Sequence, residues 1–313
     1  MSLTVGVDLG GTKIGVGVVD EHGTIVAESR RPTPTDSTDA VVRAMAEAVA
    51  EVRSGHEVTA IGVGAPSFVN AQRDTILFTA NLPMANYPLA ARLGELTGLP
   101  VFIENDANAA AWAEFRFGAG RGVSDMVLLT IGTGIGGGLI TGGRLLRGAH
   151  GVAAEVGHLE MVPGGHRCGC GLDGCFEQYA SGSALVRVAR RLARKRRDEA
   201  AVLLSFGDGT PEDVQGLHVT RAAQQDDPVA LAAFDEVGTM LGRGMAAIAA
   251  ILDPAAFVIG GGVSDAGELL LSPARRSFEQ HLTARAHRPV ARVELATMGN
   301  AAGIVGAADL ART

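Results

Sequence analysis

The chain has 313 residues, too many for one small core, and two domains are the natural division of that length. Aromatic residues make up only 4%, but apolar residues reach 47%, which excludes a disordered chain, and no apolar run approaches the roughly eighteen residues of a membrane helix. With 27 basic against 34 acidic residues the net charge is −7, so no basic field exists to hold DNA or another polyanion.

In chain order, Leu3 to Val7 reads as a strand and Asp8-Leu9-Gly10-Gly11-Thr12-Lys13 as a tight glycine turn, with Ile14 to Val19 as the returning strand. A strand this early leaves no room for a signal peptide, and a cytoplasmic protein is expected. Asp39 to Arg53 follows as a helix with apolar Val41, Met45, Val49 and Val52 on one face, then a buried strand over Ala60 to Gly64. Val101 to Ile103 is a short strand, and Ala107 to Phe117 is an Ala-rich helix opened by Asn105-Asp106. Val127 to Ile140 repeats the opening arrangement around Gly132-Thr133-Gly134-Ile135-Gly136, which predicts a duplicated architecture. Beyond the cysteines the chain turns helical. The arginine-rich stretch Arg187 to Arg197 reads as a solvated helix face, with contact to an acidic partner subunit as the alternative. Pro228 stands at a first helical position, and Ala256 to Ile259 is a strand entering Gly260-Gly261-Gly262. Alternating strands and helices indicate an α/β class, with a boundary near Arg116 to Gly122.

Backbone N–H groups in glycine turns can hold a phosphate chain, because glycine lets the backbone approach the oxygens. The first turn adds the Thr12 hydroxyl and the Lys13 charge, and Asp8 is placed to hold Mg²⁺. The second turn adds Thr133. Neither matches the P-loop or the dinucleotide fingerprint, and each alone is equally a tight hairpin. Asp106, at a strand-to-helix junction, suits a base for a hydroxyl attacking a phosphoryl group; the competing reading is a helix N-cap. All three cysteines lie in Cys168-Gly169-Cys170-Gly171-Leu172-Asp173-Gly174-Cys175. With His158 they make a Cys₃His set suited to structural zinc, His166 being the rival fourth ligand. Glu155 and Glu177 flank these ligands and suit sugar hydroxyls, the alternative being ordinary surface acids.

Together, the Asp8 to Lys13 turn, Glu104-Asn105-Asp106-Ala107-Asn108, the Ile131 to Gly138 turn, Glu155-Val156-Gly157-His158 and the cysteine run ending in Glu177 resemble the ROK family (repressors, open reading frames, kinases), and within it the bacterial kinases for glucose. The likeness runs from Val5 to about residue 308. It implies an α/β, two-lobed actin-like (ribonuclease H-like) ATPase fold with a zinc-braced loop. Residues 1–115 plus about 300–313 would form the small lobe and 116–299 the large lobe, with sugar and nucleotide in the cleft between. The implied reaction is ATP-dependent phosphorylation of glucose at its 6-hydroxyl, giving glucose 6-phosphate and ADP. Asp106 would be the catalytic base, and position 65 (Ala65), Asn105, Asp106, Glu155, His158 and Glu177 would bind the sugar. Asp8, Gly10, Gly11, Thr12, Lys13, Gly132, Thr133 and Gly134 would serve ATP and its Mg²⁺, with Gly260, Gly261 and Gly262 beside adenosine. His158, Cys168, Cys170 and Cys175 would hold Zn²⁺, His158 using its second ring nitrogen toward the sugar. A cytoplasmic homodimer or homotetramer is implied, with no nucleic acid or membrane partner. Ser67, Phe176 and Ala301 depart from the family's usual Gly, Trp and Asp. Neighbouring readings are a kinase for N-acetylmannosamine, mannose or fructose, and a glucokinase using polyphosphate. A sugar-responsive repressor of the family carries a winged helix ahead of the first glycine turn, where this sequence has Met1 to Thr4.

Overall fold

A computed structural model describes residues 2–79, 82 and 84–312 and divides the chain into two compact units. The first comprises Met1–Leu128, Gly138–Ala154 and Ala296–Thr313, the second Leu129–Gly137 and Glu155–Leu295.

The first unit opens with β1 (Leu3–Leu9) and β2 (Lys13–Val19), the expected antiparallel hairpin, with Leu9 opposite Ile14 across the glycine turn. β3 (Ile25–Pro32) continues it as an edge strand, half-buried and exposed residues alternating as the pleat requires. α1 (Thr38–Val52) starts at Ser37, whose side chain accepts from Ala40 N–H, and buries Val41, Met45, Ala48, Val49 and Val52 along one stripe. β4 (Val58–Ala65) returns parallel to β1, and β5 (Phe68–Val69), β6 (Ile76–Phe78) and β7 (Ala85–Tyr87) form a separate three-stranded sheet. After α2 (Leu89–Thr97), β8 (Val101–Asn105) joins parallel to β4 and runs directly into α3 (Asp106–Phe117). The sheet order is β3-β2-β1-β4-β8.

The pattern then repeats. β9 (Met126–Ile131), β10 (Ile135–Thr141) and β11 (Arg144–Leu145) precede the short α4 (Glu177–Ala180), α5 (Gly182–Lys195), α6 (Ala201–Ser205), α7 (Gly216–Ala223) and α8 (Pro228–Leu252). β12 (Ala256–Gly260), α9 (Glu268–His281), β13 (Arg292–Leu295) and α10 (Ala302–Leu310) complete the chain. The second sheet has the order β11-β10-β9-β12-β13, the same arrangement of third, second, first, fourth and fifth strands as the first. Pro228 does open its helix, behind Asp227, whose carboxylate accepts from Val229 and Ala230 N–H.

The arginine-rich stretch is the expected solvated face, half-exposed to exposed, and its guanidiniums also find partners within the chain. Arg190 Nε donates to the Val214 carbonyl, Arg191 pairs with Glu236, Arg194 with Glu212 at 2.8 Å, and Arg197 donates to the Gly209 carbonyl. These guanidiniums lace α5 and the turn after it to their own neighbours, because long side chains on an exposed surface still lie within reach of adjacent carboxylates and carbonyls.

α10 lies in the first unit against β1 and β4, and the contact is backbone on backbone. A Cβ added at Gly62 would stand 1.8 Å from the Ala307 carbonyl oxygen, and one at Gly6 1.8 Å from that of Ile304. Thr4 Oγ1 donates to the Ala308 carbonyl at 2.9 Å within the same seam. Gly62→Ala must therefore push α10 off the sheet, and a loss of about 3 kcal/mol in unfolding free energy is expected from such overpacking. A denaturant titration checks it; a midpoint equal to that of the unmodified protein contradicts the close approach.

Candidate active site

The parallel strands β1, β4 and β8 end together, with Asp8 paired to Gly64 and Gly64 to Glu104 in register. Carboxyl ends of parallel strands are where α/β sheets present functional groups, since the chain turns away there and leaves polar atoms uncovered. Asp8, Ala65, Asn105 and Asp106 all come from these ends.

Asp106 is the first residue of α3, and the cap itself is Asn105, whose side-chain oxygen accepts from Asn108 N–H at 3.1 Å. The N-cap reading of this segment thus falls on Asn105, and Asp106 is not the cap. Asp106 Oδ1 accepts from Ala107 N–H at 2.9 Å. Burial nevertheless holds its carboxyl above the ordinary range, outweighing the helix N–H groups that favour the anion. Asp8 is also raised, first by burial and then by the charge of Asp106, with Lys13 and Arg30 opposing.

The turn after β1 is closed by Gly10 N–H to the Lys13 carbonyl at 2.9 Å and by Thr33 Oγ1 to the Gly10 carbonyl at 2.7 Å. Gly11, Thr12 and Lys13 are exposed on it. Position 65 needs correction as a ligand contact. It is an alanine, Ala65, fully buried, and its carbonyl already accepts from Ser67 N–H at 2.8 Å and Ser67 Oγ at 3.4 Å. The Cβ there removes the close backbone approach that a glycine offers. Ser67, the departure beside it, is buried in these bonds, and its own carbonyl accepts from Asn105 Nδ2 at 3.3 Å.

In the second unit three glycine segments meet around Ile131. Gly132 N–H donates to the Gly134 carbonyl at 3.0 Å, Gly182 N–H to the Gly132 carbonyl at 2.7 Å, and Ser183 Oγ to the Thr133 carbonyl at 2.7 Å. Gly261 has φ +84°, and a Cβ there would meet Ile131 backbone atoms at 2.6 Å; Val263 N–H donates to the Ile131 carbonyl at 3.0 Å. Gly132, Thr133, Gly134, Gly260, Gly261 and Gly262 are therefore one neighbourhood, fastened by the start of α5. The pair Gly182-Ser183 was invisible to motif reasoning, because it carries no pattern of its own.

His158, Cys168, Cys170 and Cys175 place one ligand atom each within 4.8 Å of all the others. Cys170 Sγ lies 3.6 Å from Cys175 Sγ, and Cys168 Sγ 3.6 Å from His158 Nδ1. A tetrahedral zinc with Zn–S of about 2.3 Å spaces its sulfurs by roughly 3.8 Å, so the donor set fits. Burial, the largest effect, pushes the Cys168 thiol up to about 12, and a cation beside it is what would let it ionise. The rival ligand His166 is turned elsewhere, its ring 5.3 Å from that of Tyr179.

With Nδ1 facing the sulfurs, His158 Nε2 lies 3.9 Å from Glu155 Oε2. Glu177 Oε1 is 3.0 Å from Cys168 Sγ, and Glu177 Oε2 would stand 2.4 Å from a Cβ at Gly134. Glu177 thus touches both the cysteine loop and the Gly-Thr-Gly turn. Phe176 beside it is fully buried, and a Cβ at Gly244 would stand 2.2 Å from its ring, so this departure is a matter of core packing. Ala301 packs with Ala302, Ile304 and Val305, an apolar setting for the third.

The sequence profile of the ROK family matches residues 4–313. A glucokinase of Streptomyces coelicolor is 51% identical over 312 residues, covering 100% of this chain and 98% of that protein. The crystal structure of a ROK family glucokinase from Streptomyces griseus in complex with glucose and AMPPNP superposes with a TM-score of 0.88 at 51% identity, covering 99% of both chains. A ROK hexokinase from Thermus thermophilus gives 0.81 at 38%, covering 99% of this chain and 98% of that one.

Proposed function

Since the chain belongs to the ROK family, we propose that it is a glucokinase, transferring the terminal phosphoryl group of ATP to the 6-hydroxyl of glucose. The observation that carries this reading is the full-length likeness to a structure holding glucose and a nucleotide analogue, on a chain that keeps Asp106, both glycine turns and the Cys₃His cluster.

Asp106 is assigned as the base. Its carboxyl, raised by burial, is matched to accepting a proton near neutrality better than an ordinary aspartate. Asn105, Glu155, His158 and Glu177 are assigned to the sugar hydroxyls; Ala65 is not, having only an occupied carbonyl to offer. The turns at Gly10 to Lys13 and Gly132 to Gly134 are assigned to the phosphates, and Gly260 to Gly262 to the adenosine side. Asp8 would hold the Mg²⁺ that arrives with ATP, whose charge offsets that of the transferring phosphate. Zinc on His158, Cys168, Cys170 and Cys175 would be structural, keeping His158 Nε2 aimed at Glu155 and the sugar. The two units are proposed to be the two lobes of the fold, and the protein to work in the cytoplasm as a homodimer or homotetramer; among the described residues no helix is long and apolar enough to cross a membrane.

The deciding experiment is a coupled assay of the purified protein against glucose, mannose, fructose and N-acetylmannosamine, with ATP or polyphosphate as donor. Highest kcat/KM for glucose with ATP is expected. Preference for another hexose, or turnover with polyphosphate alone, overturns the substrate assignment.

A further inference from the structure

Glu104 is the last buried acid before Asn105 and Asp106, and both of its oxygens are engaged. Its side chain is 4% exposed. Oε1 accepts from Asn105 N–H at 3.1 Å and from Asn108 Nδ2 at 3.0 Å. These two donors bracket Asp106, so Oε1 sets the turn by which β8 becomes α3. Oε2 accepts from Arg147 Nε at 2.6 Å, a short charge-assisted bond.

A second guanidinium, Arg73, is nearby but differently used. Its Nε lies 3.8 Å from Glu104 Oε2 and makes no hydrogen bond. Its Nη2 donates to the Leu310 carbonyl at the end of α10, its guanidinium covers the Phe102 ring at 5.3 Å, and its carbonyl accepts from Ile103 N–H. Arg73 is thus committed to packing, and the directional bond that fixes the carboxylate's plane comes from Arg147. The chain brings Arg147 to Glu104 across 43 positions, from the segment after β11.

We propose that Arg147 is a positioning residue for phosphoryl transfer: by orienting Glu104 it fixes the Asn105–Asn108 turn, and with it the sugar-binding Asn105 and the base Asp106. The inference rests on the kinase reading above. Arg147 touches neither substrate nor the reacting atoms in this assignment. Its loss tilts the Glu104 carboxylate toward Arg73 and lets the turn shift, and displacement of a catalytic group by about 1 Å is enough for a rate loss on the order of 10².

The experiment uses Arg147→Ala in the full-length protein. Arg147 is the residue to change because its side chain is 28% exposed and Glu104 keeps Arg73 as a partner; changing Glu104 instead would leave two cations facing each other. Expected are a fall in kcat/KM for glucose on the order of 10², shared between kcat and the glucose KM, an unchanged ATP KM, and partial recovery of activity on adding guanidinium ion but not equal sodium chloride. If the alanine variant fails to fold, Arg147→Lys, which keeps the charge without the planar fork, carries the same comparison. Unchanged glucose kinetics, an ATP KM that rises in step, or loss of activity that tracks loss of folded protein with no response to guanidinium each overturn the assignment. Wild-type turnover of glucose is measured first, so a failure of the kinase reading shows there, separately from a failure of Arg147.

Discussion

Asp106→Asn is expected to lower kcat by about 10³ or more while glucose binding changes little, the range set by removing a general base from a positioned hydroxyl. Asn keeps the size of the side chain, and its Oδ1 can still accept from Ala107 N–H, as Asp106 does at 2.9 Å. The opening of α3 is therefore preserved and only the proton acceptor is lost. The same substitution should raise the thermal midpoint at neutral pH. A carboxyl whose folded pKa lies above its unfolded value is easier to hold protonated in the folded state. Its relative contribution to stability is thus fully present below the unfolded pKa and lost as pH rises through the folded one. At neutral pH the native protein carries that cost and the Asn variant does not. The gain should shrink toward acid, where both forms are neutral. Asp8 should respond too, because Asp106 is the second cause of its raised pKa. The acid limb of kcat/KM in the native enzyme should accordingly lie above the ordinary aspartate value of about 3.9. Isothermal titration with glucose, thermal melts across pH and a pH–rate profile test the set. Undiminished turnover in the Asn variant ends the base assignment.

How much of this arrangement could be read beforehand depended on how local its causes are. The hairpin around Gly10 to Lys13, its repeat around Gly132 to Gly136, and the helix start at Pro228 follow from a few adjacent residues, and each appears where expected. The Cys₃His set was legible because thiol spacing is itself the signal. What escaped was built from distant pieces. Glu104 and Arg147 carry no motif that joins them, and Gly182-Ser183 looks like any helix start until Gly132 and Thr133 are brought against it. β5, β6 and β7 are two or three residues long, too short for a period to register. The partners of the α5 arginines escaped for a related reason, since charge density says nothing about which carbonyl or carboxylate lies opposite. Position 65 fails on the simplest ground of all, for an alanine carries a Cβ.

Cys170→Ser is expected to remove zinc from the purified protein and to weaken glucose binding by at least about tenfold, the lower end of what disturbing a metal site's ligand support costs. Cys170 is the thiol to change because it is exposed, whereas Cys168 and Cys175 are buried and their loss would also disturb packing. A serine hydroxyl does not ionise as a thiol does, so the four-donor set becomes three and the loop loses its brace. The effect on sugar travels through His158. Its Nδ1 faces the sulfurs and its Nε2 faces Glu155 at 3.9 Å, so a ring freed at one nitrogen is no longer aimed at the other. Glu177, 3.0 Å from Cys168 Sγ and packed over Gly134, opens α4 directly after that loop, which is why the ATP KM should also rise, though less than that for glucose. Metal analysis of both proteins, with glucose titration and kinetics in parallel, makes the comparison. Zinc retained at one ion per chain in the serine variant, or zinc lost with glucose affinity intact, would sever the link between the cysteine loop and the sugar.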